Sequence, residues 1–115
     1  ANGRVARMLN QAAAAILVCG DLDRAFPPAP DFWVIDAAIA AQNMTLAAND
    51  LGIGSVWLGT WPDEKRVKRQ AAIFQLPETI VPHSILALGY PAEDIDMRAV
   101  RPSRYEENRV HVNQW

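Results

Sequence analysis

Between the proline-rich segment DRAFPPAP (23–30) and Leu51-Gly52 runs one unbroken stretch, FWVIDAAIAAQNMTLAAND, with neither glycine nor proline. Its alanines, Ile35, Ile39, Met44 and Leu46 surround most of a helical circumference, leaving Asp36, Gln42, Asn43, Thr45 and the ends polar. A helix that apolar needs cover on several sides. A chain of 115 residues folds as one domain and has little core to spare for such cover. One face of the helix is therefore expected to pack on a second copy of the chain. Asp31 reads as the N-cap and Leu51-Gly52 as the stop.

The other elements follow from local pattern. Val5, Met8 and Leu9 fall at helical spacing, which predicts a short amphipathic helix over Arg4 to Ala13. Ala14 to Cys19 reads as a buried strand closing on Gly20 and Asp21, and the three prolines of segment 23–30 force a loop. GSVWLG from Gly54 to Gly59 is a second strand. The turn Thr60-Trp61-Pro62-Asp63 caps a helix DEKRVKRQAAIF, with Val67, Ala71 and Phe74 inward and Lys65, Arg66, Lys68 and Arg69 outward. After a PETIVP connection, HSILALGY forms a third strand from His83 to Tyr90. The tail 92–115 has no apolar period and is expected to lie extended, held by something outside itself.

Charge and cysteine content narrow the function classes. Eleven Lys and Arg against thirteen Asp and Glu give a net charge of -2, which offers no global pull toward nucleic acid or an anionic membrane. The longest apolar run, AAAAILVCG, falls short of the roughly 20 residues that span a bilayer. A single cysteine, Cys19, excludes an intrachain disulfide framework and a multi-cysteine metal site, and fits a reducing cytoplasm. His83 and His111 have no acidic or thiol partner at ligand spacing, so no metal site is expected.

Gly52, Gly54 and Gly59 lie in the order helix, glycines, strand. That is the reverse of a dinucleotide fingerprint, in which phosphate meets a helix N-terminus. Gly52 and Gly54 are accounted for by a helix stop and tight packing, whereas Gly59, at a strand's end, permits a ligand to approach the backbone. The basic run Lys65, Arg66, Lys68, Arg69 reads as a solvated helix face. Arg101 and Arg104, on extended backbone, suit a phosphate monoester or are plain surface charge. Trp33, Trp57 and Trp61 suit stacking on a planar ligand, a subunit interface or ordinary core filling.

Taken in order, ILVCGD (16–21), DAAIAAQNMTLAANDLGIGSVWLG (36–59), ALGYP (87–91) and RYEENRVHVNQW (104–115) resemble the nitroreductase family of FMN-dependent oxidoreductases. That resemblance implies an α+β fold, an α-β-α sandwich with helices on both faces of a mainly antiparallel sheet. It also implies a homodimer joined through long central helices, with FMN at the interface. NAD(P)H is the implied hydride donor and a nitroaromatic, quinone or similar small molecule the acceptor, in a ping-pong cycle without a catalytic side chain. By the same resemblance Trp57, Leu58, Gly59 and Thr60 face the flavin ring through their backbone, Arg104 binds the FMN phosphate and Arg101 assists.

Against that pattern the whole chain 1–115 reads as an N-terminally truncated, partial domain without the arginine-bearing arm that grips FMN in the family. Two readings follow. One is an FMN-dependent NAD(P)H oxidoreductase, and the other a shortened, non-catalytic form that dimerises without flavin.

Overall fold

A central strand buried on both faces organises the molecule. In the computed structural model, which describes residues 5–96, 99–100 and 102–115, three strands are hydrogen-bonded in the order β1-β3-β2. They are β1 (Ala14–Asp21), β2 (Gly54–Gly59) and β3 (Ile80–Gly89), with both pairings antiparallel. Successive side chains of β3 point to opposite faces. Leu86 joins Val18, Trp33, Ala37 and Ala41 on one side, while Ile85 and Ala87 join Leu58 on the other.

The first face is covered by α1 (Trp33–Asp50), which presents Trp33, Ala37, Ala41 and Ala48 to the sheet. Met8, Leu9 and Ala12, in and after a 3-10 turn at Val5–Asn10, cover the second. Beside them α2 (Glu64–Phe74) packs against β3. Helical layers thus flank an antiparallel sheet, as the α+β expectation required.

Helix ends follow their residues. Gly52, at φ 72, lets the chain leave α1, and the N–H of Ile53 closes on the Ala48 carbonyl at 2.8 Å. Asp63 caps α2, its Oδ1 accepting from the N–H groups of Lys65 and Arg66. Asp31 does not cap α1: it lies within a 3-10 turn, Pro30–Phe32, that leads directly into the helix.

Four further expectations are corrected. The first segment forms a 3-10 turn rather than an amphipathic α-helix. β1 runs on to Asp21. β3 begins at Ile80, three residues before His83, and carries Pro82 inside it next to a shift in the β1 pairing. In α2 it is Gln70 that is buried, while Phe74 is 49% exposed.

Among the described residues after β3, the one helical or strand element is a 3-10 turn at Glu107–Arg109. The radius of gyration is 17.1 Å, against about 13 Å for a compact domain of this length. Tyr105, Val112 and Trp115 are exposed, and Arg109 Nε lies 2.8 Å from Glu106 Oε2 within the same short turn. No helix among the described residues is long and apolar enough to cross a membrane.

Candidate functional site

The end of β2 is where backbone geometry, aromatic side chains and charge converge. Between the pairs Val18 with Ser84 and Cys19 with Pro82, residue 83 has no partner on β1, so β3 bulges there. The bulge places the imidazole of His83 on the α1 side. Its ring meets Trp33 edge-on at 6.0 Å and Trp57 at 5.9 Å, and Trp33 in turn meets Trp61 at 5.1 Å. Three tryptophans and one histidine from four segments therefore form a continuous aromatic cluster. His83 Nδ1 lies 3.1 Å from Ser84 Oγ, and burial holds the imidazole below its ordinary pKa of 6.5, favouring the neutral ring.

The His83 carbonyl accepts two bonds, from the N–H of Thr60 at 3.1 Å and of Trp61 at 3.0 Å. The first of these fixes the character of the preceding pair, Gly59 with Ser84. In an antiparallel ladder a pair flanked in this way is the non-hydrogen-bonded kind, whose N–H and C=O point away from the partner strand. The Gly59 carbonyl does point away, and accepts from Arg66 Nη1 at 3.2 Å. The Gly59 N–H then points out from the open edge of β2, and nothing lies within 4 Å of where a Cβ on Gly59 would sit.

The four residues of the predicted ring-facing stretch thus divide. Gly59 is exposed with its N–H outward. Trp57 is partly exposed and joins the aromatic cluster. Leu58 is buried in the core. Thr60 is buried, its N–H committed to His83 and its hydroxyl donating to Gln70 Oε1 at 2.9 Å.

Arg104 is exposed on the tail and makes no hydrogen bond or ion pair among the described residues; none links it to the Trp57–Thr60 stretch. Arg101 lies outside the described residues. Cys19 is partly buried, which pushes its thiol up from its ordinary pKa, as suits an unreactive sulfur.

From sequence alone Gln70 carries no role, His83 is weighed only as a metal ligand and a strand start, and Arg66 is placed only on a solvated basic face. Arg66 reads as one more cation on a basic helix face, and only its spacing from Asp63 hints at a local pair. It lines, with Leu9, Arg69, Ile73 and Ile85, a cleft of about 600 Å³ between α2 and the first 3-10 turn.

The sequence profile of the Nitroreductase family matches residues 4–90, from the first turn through β3. The chain belongs to the nitroreductase family. A Methanothermobacter thermautotrophicus protein, provisionally named an NADH dehydrogenase/NAD(P)H nitroreductase, is 41% identical over 108 residues, which are 94% of this chain and 53% of that protein. A solved Clostridium acetobutylicum structure, provisionally named an NADH oxidase, superposes with a TM-score of 0.86 at 32% identity, covering 99% of this chain and 66% of that one. A Clostridium difficile FMN-dependent nitroreductase superposes with a TM-score of 0.73 at 28% identity, covering 90% of this chain and 59% of that one. The chain thus spans about half the length of the Methanothermobacter thermautotrophicus protein.

Proposed function

We propose that the protein is an FMN-dependent NAD(P)H oxidoreductase of nitroreductase type. The observation that carries this reading is the outward aim of the Gly59 N–H beside open space. A flat heteroaromatic ring with an acceptor edge can approach there, because glycine puts no side chain in its way. The name of the Clostridium difficile relative, an FMN-dependent nitroreductase, supports the choice of ring.

Bound FMN would supply the hydride-accepting chemistry. The chain's own part is to bind and orient it. The Gly59 N–H would hold the ring edge on which negative charge gathers, a role that needs a fixed donor rather than a catalytic acid or base. Trp57 would border the ring, and Leu58, its side chain held in the core, would anchor the strand that carries the donor. Thr60, with no free N–H, fixes the strand's end. Arg104, with no hydrogen bond or ion pair among the described residues, would take the phosphate, with Arg101 assisting.

The working form is a homodimer in a reducing cytoplasm. Phe32, at the entry to α1, and Ile35, Ile39 and Leu46 on it are each more than half exposed, an apolar stripe that a second copy would cover. Initial rates with NADH or NADPH as donor and a nitroaromatic or quinone as acceptor test the activity. Parallel double-reciprocal lines are expected of ping-pong exchange and converging lines contradict it. A dimer that takes up no flavin would instead be the non-catalytic form.

A further inference from the structure

α2 reaches back to the end of β2 through Arg66 as well as through Gln70. The Arg66 guanidinium is forked between two acceptors: Nη1 donates to the Gly59 carbonyl at 3.2 Å, and Nε lies 3.2 Å from Asp63 Oδ2. Asp63 is itself held, since its other oxygen accepts from the N–H of Lys65 at 3.0 Å and of Arg66 at 3.1 Å. The peptide joining Gly59 to Thr60 is therefore gripped at both ends, its carbonyl by Arg66 and its N–H by the His83 carbonyl. No atom of the described residues lies within 4 Å of where a Cβ on Gly59 would sit, and glycine is the least restricted residue type at a strand end.

Lys68 on the same helix behaves differently. It faces Glu64 at 3.7 Å with both side chains about four-fifths exposed, an ordinary solvated pair. The contrast separates Arg66 from the rest of the basic face.

We infer that Arg66 is a positioning residue for the proposed flavin site, fixing the Gly59 backbone so that its N–H keeps its outward aim and placing a positive charge one peptide from that donor. This rests on the flavin reading above. A planar fork is needed to serve Gly59 and Asp63 together, which a lysine ammonium cannot do in the same geometry.

The test compares Arg66→Met, Arg66→Lys and, as a control, Lys68→Ala in two measurements. The first is amide hydrogen exchange at Gly59 and Thr60 in flavin-free protein. The second is the affinity for oxidised FMN set against that for FMN reduced with dithionite. Arg66→Met should speed exchange at Thr60 about tenfold and weaken binding of reduced FMN about tenfold more than that of oxidised FMN, the scale of losing a hydrogen bond to a charged group. Arg66→Lys should change both in the same direction by less, and Lys68→Ala neither. If Arg66→Met and Lys68→Ala exchange alike, Arg66 does not position the strand end and the inference is overturned. Faster exchange with an unchanged ratio of affinities overturns its link to the flavin. If the unaltered protein takes up no FMN while Arg66→Met still speeds exchange, the flavin reading falls and the clamp on Gly59 stands.

Discussion

The indole of Trp33 occupies the space that a side chain at Gly20 would need: a Cβ there would lie 2.7 Å from Trp33 Cδ2. This contact lets the first turn of α1 close on β1 and seats the aromatic cluster. Gly20→Ala should therefore cost about 1–3 kcal/mol, the usual penalty of overpacking. Trp33→Leu, which makes room, should make the same change at Gly20 less costly. Urea denaturation of the two single variants and the double variant measures the coupling. Additive effects would mean that the two residues do not share the space.

The buried bond from the Thr60 hydroxyl to Gln70 ties the end of β2 to α2. Thr60→Val keeps the shape but leaves Gln70 Oε1 buried without a donor, at a cost of about 1–3 kcal/mol. Adding Gln70→Met removes the orphaned amide and should recover part of that loss. A double variant less stable than Thr60→Val would count against the bond's importance.

His83 gives stability a pH dependence. Its folded pKa lies below the ordinary 6.5 because of burial, so the unfolded chain takes up the proton first. The neutral ring's contribution is present above pH 6.5 and drains away as the pH falls toward the folded pKa. Denaturation midpoints taken between about pH 7.5 and 5.5 should fall more steeply in the parent than in His83→Gln. Identical slopes would remove His83 from the account.

The exposed stripe on α1 predicts association. Sedimentation equilibrium at micromolar concentration should give twice the chain mass for the parent, while Ile39→Lys, which puts a charge in the middle of the stripe, should sediment as a monomer. A parent that stays a folded monomer would sink the shared-helix expectation.

Legibility in the sequence followed physical locality. β2 was placed to the residue because glycines bound it on both sides, and α1 to within a turn because no breaker interrupts it. The start of β3 was missed because Pro82 reads as a break. The unpartnered residue beside it lets the strand carry a proline there, and only the tertiary pairing reveals this. In α2 hydropathy pointed Phe74 inward, whereas Gln70 is buried because a hydroxyl ten residues away satisfies its amide. Arg66 was hidden for the same reason, since its decisive partner is a backbone carbonyl that no periodicity marks. The ring-facing stretch and Arg104 were legible only through family resemblance. That the N–H groups of Gly59 and Trp57 face the open edge, and those of Leu58 and Thr60 face β3, emerged only from the pairing of Gly59 with Ser84.

The most direct measurement is an equilibrium titration of the protein with FMN, followed by quenching of flavin fluorescence. The account predicts saturable, stoichiometric binding that Arg104→Ala weakens by roughly ten- to a hundredfold through loss of a charge-assisted phosphate contact, while Arg69→Ala leaves it unchanged. No saturable binding, or retention by Arg104→Ala with loss in Arg69→Ala, would contradict it.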